Sequence, residues 1–166
     1  MRAARAALRR LPDEGVLPHV AASADPILRR AQAEAGVSVA TLHVVAAVVE
    51  RDGCFLVTRR QAGVHLAGLW EFPGGKVAPG ESHAEALRRE MQEELDTDVE
   101  VREMVSTATH AYGDRHVTLH FYTCSLRSEP RPLLGQEMRW VERGELRTLG
   151  FPPADEELIA LLTIGV

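Results

Sequence analysis

At 166 residues with 45% hydrophobic content, the chain has the size that buries one core, and a second full-sized domain is not expected. A formal charge of -5 and a pI near 5.8 exclude a surface built to neutralise a nucleic-acid polymer, yet they permit a small anionic substrate held through a metal ion. Cys54 and Cys124 lie seventy positions apart with no CxxC or Cys/His ligand spacing, which argues against a disulfide framework or a structural zinc site. No apolar run approaches the ~18 residues of a membrane span, so the expectation is a cytoplasmic protein with no membrane and no obligate protein partner.

In chain order, Arg2, Arg5, Arg9 and Arg10 stand among alanines without a hydroxyl-rich stretch, which predicts a surface arm or frayed helix. Asp25 before Pro26 has N-cap chemistry and Gly36 sits where a helix would end, so a short helix is expected over 26–35. Residues 1–36 thus form an arm and short helix with no assigned function, and 37–166 the main domain. The Val- and Ala-rich block 37–49, broken at Asp52 and Gly53 and resumed at 54–58, predicts two strands and a hairpin turn. Leu69 to Phe72 reads as a short strand entering a Pro73-Gly74-Gly75 loop, where positive φ and close backbone approach are possible. Ser82 and Glu85 form a capping box that opens a helix running to about Leu95. Residues 99–111 and 115–126 read as long strands, with Val117, Leu119 and Phe121 on one face and His116, His120 and Tyr122 on the other. A short strand over 138–142 and a closing helix after Pro152 and Pro153, carrying Leu158, Ile159, Leu161 and Leu162, complete an α/β layered sandwich.

On the helix from 83 to 95, Ala84, Leu87, Met91 and Leu95 share one arc and should face the core, while Glu90, Glu93 and Glu94 crowd a neighbouring arc. Like charges at this spacing cost a few tenths of a kcal/mol per pair, and negative charge in the last turn opposes the helix dipole by roughly 0.3 to 1 kcal/mol per group. No Lys or Arg relieves the cluster between Glu90 and Glu100. A divalent cation would turn that repulsion into coordination, and oxygen ligands favour Mg²⁺, Mn²⁺ or Ca²⁺ over zinc or copper. A solvated acidic helix end is the alternative that spacing alone leaves open. The seven histidines show no metal-ligand spacing, and His116 and His120 read as sheet-face residues.

The cluster sits inside GKVAPGESHAEALRREMQEEL, Gly75 to Leu95. This resembles the Nudix box: a glycine, five residues, a glutamate, seven residues, then Arg-Glu, an aliphatic position, any residue and Glu-Glu. Gly75, Glu81, Arg89, Glu90, Met91, Glu93 and Glu94 fill those places in order. At ordinary residue frequencies, chance placement is on the order of one in 10⁵. The departure is at the end, where Asp96 and Thr97 stand in place of a glycine and an aliphatic residue, which bears on loop geometry more than on metal binding. LWEFPGGK, DRHVTLHF and FPPADEELIALL extend the resemblance to the MutT-like branch over roughly residues 42–164.

The resemblance implies a Nudix α/β/α sandwich, a mixed β-sheet between helices, and Mg²⁺-dependent hydrolysis of a nucleoside triphosphate to monophosphate and pyrophosphate, with 8-oxo-dGTP the expected substrate and Mn²⁺ a possible substitute metal. It makes Glu90, Glu93 and Glu94 metal ligands with the Gly74 carbonyl, and Glu137 a candidate further ligand. Arg89 becomes an orienting partner for a box glutamate, although on spacing it equally suits an i, i+4 pair with Glu85. Glu81 becomes part of the catalytic set, although an acid at a helix entry also simply favours the dipole. Lys76 is expected at a substrate phosphate, with a solvated loop lysine the alternative, and Arg60, Phe72, Tyr112, Arg115 and Asp155 around the nucleobase; for Phe72 and Tyr112 core packing stays open. Asp155 matches an asparagine of MutT, and an ionised aspartate can only accept hydrogen bonds. Alternatives are a CTP or modified-dCTP pyrophosphohydrolase, an ADP-ribose or dinucleoside polyphosphate hydrolase, and a non-catalytic Nudix-like binding module.

Overall fold

A computed structural model describes residues 40–112 and 115–165. The arm and the helix expected over 26–35 lie outside the described residues. Strand β1 (Ala40–Arg51) turns at Asp52 and Gly53 into β2 (Cys54–Arg59), both turn residues lying at positive φ, 53° and 77°. That pair of left-handed residues matches the twist of a two-residue hairpin. β3 (Trp70–Glu71) and β4 (Gly74–Lys76) follow, then helix α1 (His83–Leu95) and the long strands β5 (Val99–Tyr112) and β6 (Arg115–Leu126). β7 (Met138–Glu142), 3₁₀ turns over 143–148 and 153–155, and α2 (Glu156–Leu162) close the chain.

β1 is the hub. It runs parallel to β6 from Ala40↔Arg115 to Val49↔Cys124, antiparallel to β4, and antiparallel to β2 at the hairpin end. β5 pairs antiparallel with β6, and β2 carries β3 and β7 on its two sides. Because β1 is covered on both faces, its Val/Ala run shows no polar alternation. Val45, Ala47 and Val49 point into one apolar cluster with Ala86, Leu87, Met91 and Leu95 of α1. Ala46 and Val48 point into the other, with Phe55, Phe72, Phe121, Leu146, Leu158 and Ile159. The mixed sheet therefore lies between α1 and α2, the expected sandwich.

Three local expectations are corrected. Gly74 and Gly75 belong to a strand and not to a free loop: a Cβ on Gly74 would fall 2.8 Å from the Ala46 Cα, so glycine is what lets β4 close against β1. On α1 the buried alanine is Ala86, with Ala84 only half-buried, and Leu161 of α2 is exposed. Among the described residues no helix is long and apolar enough to cross a membrane.

Candidate active site

The site is built from the two ends of α1 inward. At its start Ser82 accepts from the Glu85 N–H while the Glu85 carboxylate accepts from the Ser82 N–H at 2.8 Å, a complete capping box. Glu85 is thereby committed to Ser82, whose hydroxyl and N–H hold its pKa below the ordinary value. Arg89 consequently does not pair with it.

Instead Arg89 forks. Its Nε and Nη2 donate to the two Glu81 oxygens at 2.8 and 2.9 Å, Nη1 donates to Glu90 Oε1 at 2.7 Å, and Nη2 also donates to the Lys76 carbonyl at 2.9 Å. A planar guanidinium alone can serve these acceptors together. The Glu81 carboxylate lies below its usual range because of the Arg89 hydrogen bonds, helped by the Ala78 N–H at 2.9 Å, and the Arg89 pKa is raised by the same partners. Glu90 is only 8% exposed, a burial that a carboxylate tolerates when it is paired. Gly75 makes the room for it: a Cβ there would stand 2.5 and 2.6 Å from the Glu90 carboxylate oxygens.

The far end of α1 carries no basic residue in its last turn. Its orphan carbonyls are met by the loop before β7. The Leu133 N–H and Gln136 Nε2 donate to the Glu94 carbonyl at 2.9 and 3.0 Å, and the Arg131 N–H to the Leu95 carbonyl at 2.7 Å. Asp96 adopts the left-handed C-cap, φ 48° and ψ 38°, in place of the usual glycine. Its carboxylate accepts from Gln92 Nε2 at 3.0 Å and from Arg131 Nη2 at 2.6 Å, which offsets part of the ~1 kcal/mol that this conformation costs an L-residue. The departure from the box therefore leaves the helix end intact.

Between these anchors runs a cleft floored by Gly74, Gly75, Lys76, Glu90 and Glu94. Arg60, Gln61, Glu71, Leu134 and Gln136 line its other side. Glu93 is not among the lining residues; its Oε2 lies 3.7 Å from Arg89 Nη1. Glu137 is not among the lining residues either; it forms an ion pair at 3.1 Å with Arg59, which lines the cleft, and from the same loop Leu134 and the buried Gln136 line it.

Of the nucleobase candidates, Arg60 lines the cleft, ion-paired with Glu71 and donating from Nε to the His65 carbonyl at 2.9 Å. Asp155 is 3% exposed and is the N-cap residue of α2, yet its carboxyl makes no capping hydrogen bond. Burial pushes its pKa up to about 7, the Glu71 carboxylate adding to the rise and Arg60 opposing it. Phe72 is placed differently from a stacking residue: it is 4% exposed, edge-on to Phe121 and stacked on Phe151 with ring centres 5.6 Å apart. A base could reach its ring face only if Phe151 withdrew. Tyr112 and Arg115 are cross-strand partners at the β5–β6 turn, and their side chains lie outside those described. Glu71 and Gln136 were not singled out from the sequence: Glu71 lies in the LWEFPGGK stretch but outside the box, Gln136 lies in no motif, and folding brings both to the cleft.

A model of the NUDIX domain family matches residues 44–161, and the chain belongs to the Nudix hydrolase family, enzymes that work with divalent metal ions. It is 37% identical over 119 residues to the CTP pyrophosphohydrolase of Escherichia coli K12, covering 71% of this chain and 88% of that protein. The 8-oxo-dGTP diphosphatase of the same organism is 37% identical over 107 residues, 64% of this chain and 83% of that protein. Among solved structures, the E. coli ORF135 protein superposes with a TM-score of 0.66 at 37% identity, over 74% of this chain and 86% of that one. The MutT protein of methicillin-resistant Staphylococcus aureus 252 gives 0.63 at 33% identity, over 74% and 95%.

Proposed function

We propose that this enzyme hydrolyses a nucleoside triphosphate to the monophosphate and pyrophosphate with Mg²⁺, which Mn²⁺ can replace, and that 8-oxo-dGTP is its preferred substrate, in cytoplasmic cleansing of the nucleotide pool. The observation that carries this reading is the Arg89 fork, which fixes the buried Glu90 carboxylate at the floor of a cleft beside Glu94 and Gly75. The donor set fits a hard cation: carboxylate oxygens and a strand-edge carbonyl, with no sulfur or imidazole.

Glu90, Glu93 and Glu94 would hold the metal with the Gly74 carbonyl. Bound there, Mg²⁺ would neutralise phosphate charge and lower the pKa of an attacking water. Arg89 orients Glu90. Glu81 acts through Arg89 as a positioning residue, since the guanidinium and the Ala78 N–H already engage its two oxygens. Lys76 supplies positive charge to the phosphates at the cleft floor. Glu137 would join the metal set only by leaving Arg59.

Base selection falls to the opposite end, where Asp155, Glu71 and Arg60 interact. With its pKa pushed up to about 7, Asp155 populates a carboxylic acid at neutral pH, able to donate as well as accept, as the asparagine of MutT can. A second reading, CTP as substrate, is favoured by the longer match to the CTP pyrophosphohydrolase, 119 residues against 107. A panel of 8-oxo-dGTP, dGTP, CTP, 5-methyl-dCTP, ADP-ribose and a dinucleoside polyphosphate, assayed with Mg²⁺ and product analysis, tests both. Monophosphate and pyrophosphate, with the highest kcat/KM on 8-oxo-dGTP, are expected. Turnover confined to ADP-ribose or a dinucleotide would refute the triphosphate reading, and nucleotide binding without turnover would make this a binding module.

A further inference from the structure

Folding assembles a second group of potential metal ligands that no sequence spacing announces. His43 on β1, His83 at the first turn of α1 and His120 on β6 each offer a ligand atom, and these atoms all lie within 4.8 Å of one another. His43 Nδ1 and His120 Nε2 are 3.0 Å apart, and the His83 and His120 ring centres 4.4 Å. The strand register explains the meeting. Val45 stands opposite His120 in the parallel β1–β6 pair, so His43 and His120 are diagonal neighbours on the face that α1 covers.

We propose that His43, His83 and His120 form a binding site for a borderline transition-metal ion, of the Zn²⁺ or Co²⁺ kind, separate from the carboxylate cleft. Tetrahedral Zn²⁺ with nitrogen ligands at about 2.0 to 2.1 Å needs its donors roughly 3.3 Å apart. The His43–His120 separation of 3.0 Å, a hydrogen bond whose shared proton an ion would replace, is already close to that, and the His83 ligand atom lies within 4.8 Å of both. His83 Nδ1 is hydrogen-bonded to the Tyr122 hydroxyl at 2.7 Å, which leaves Nε2 as the ligating nitrogen and gives the ring an orienting partner on its other side. Burial and the two neighbouring histidines lower the His120 pKa, favouring the neutral ring that a metal requires. Three imidazoles leave one coordination position for solvent, and His43 is exposed, so the ion has a path in.

The two sites sort metals by chemistry. Imidazoles select zinc, cobalt, nickel or copper, while the box carboxylates suit magnesium. Ligation by His83 would also tie the first residue of α1 to β1 and β6, and so steady the helix that carries Glu90, Glu93 and Glu94.

The test is Co²⁺ titration of the full chain in excess Mg²⁺, followed by visible absorption, with Zn²⁺ competition for affinity. One equivalent is expected to give the intense ligand-field bands of a four- or five-coordinate nitrogen site. His43→Gln and His120→Ala should each weaken binding by at least about tenfold, and Tyr122→Phe by less. A Glu93→Gln/Glu94→Gln double variant should keep the site. Because His43 is exposed, its variant is expected to fold, and circular dichroism checks all of them. Imidazole ¹H–¹⁵N spectra should show Zn²⁺ moving the ring nitrogens of His43, His83 and His120 while His65, His110 and His116 stay. Unchanged affinity in the histidine variants would overturn the site, as would loss of binding in the glutamate variant, displacement by Mg²⁺, or shifts confined to the other histidines.

Discussion

Replacing Asp155 by asparagine keeps the shape of the side chain and removes one ionisation from a nearly closed environment. Its carboxyl rises from an ordinary 3.8 to about 7 on folding. At 1.36 kcal/mol per pH unit, that shift corresponds to about 4 kcal/mol. The sign follows from proton counts. Between pH 4 and 7 the folded protein holds a proton on Asp155 that the unfolded chain has released, so wild-type stability falls as pH rises through that window. The protonated form is fully favourable below about 4, and the whole penalty is present above about 7. Asparagine does not titrate. The difference in unfolding free energy, Asp155→Asn minus wild type, should therefore grow by about 3 kcal/mol between pH 4.5 and 8, all other titrating groups cancelling in the subtraction. Urea denaturation of both proteins across that range measures it. The same proton should govern base choice: the wild-type ratio of kcat/KM for 8-oxo-dGTP over CTP should change across pH 7, and the variant's ratio should be flat. A stability difference independent of pH would refute the burial argument, and parallel pH profiles of the two ratios would remove Asp155 from base reading.

Five further substitutions test the site. Glu93→Gln and Glu94→Gln should lower kcat by orders of magnitude with the melting temperature nearly unchanged; near-normal turnover in both would take them out of the metal set. Gly75→Ala places a methyl carbon against the Glu90 carboxylate, so activity should collapse at a stability cost of roughly 1 to 3 kcal/mol by denaturant titration, and a fully active variant would contradict the packing. Arg89→Lys keeps the charge but not the fork, and should reduce kcat while destabilising by roughly 1 to 3 kcal/mol through the partners it leaves unmet; wild-type kinetics would show the fork to be dispensable. Gln136→Leu strands the Leu134 N–H and removes a donor from the Glu94 carbonyl, for which a loss of about 1 to 3 kcal/mol is expected in thermal unfolding.

Local rules carried much of this architecture. The capping box at Ser82 and Glu85 placed the start of α1 because both of its bonds lie within four residues, and the Asp52-Gly53 turn placed the β1–β2 hairpin for the same reason. The box motif marked Glu90, Glu93 and Glu94, and the charge conflict at the end of α1 signalled them independently. What stayed hidden depends on contacts far apart in the chain. Gly74 and Gly75 looked like loop glycines until β4 closed on β1, and their reason is the missing Cβ against Ala46 and Glu90. Arg89 suited either an i, i+4 pair with Glu85 or a box glutamate on paper; in the fold Glu85 bonds Ser82 and Arg89 pairs with Glu81 and Glu90. Gln136 lines the cleft because the loop folds back to cap α1. His43, His83 and His120, separated by forty and thirty-seven positions, meet only through the parallel β1–β6 register and the α1 that packs over it.

The central claim is that the cleft beside Gly75 gathers a divalent ion on the box carboxylates. Titrating ¹⁵N-labelled protein with substoichiometric Mn²⁺ and recording which amide signals broaden tests it most directly. Selective loss at Gly74, Gly75, Glu90, Glu93 and Glu94, reversed by excess Mg²⁺ and abolished in the Glu93→Gln/Glu94→Gln variant, is the predicted result. Broadening spread evenly over the acidic surface, or centred elsewhere, would contradict it.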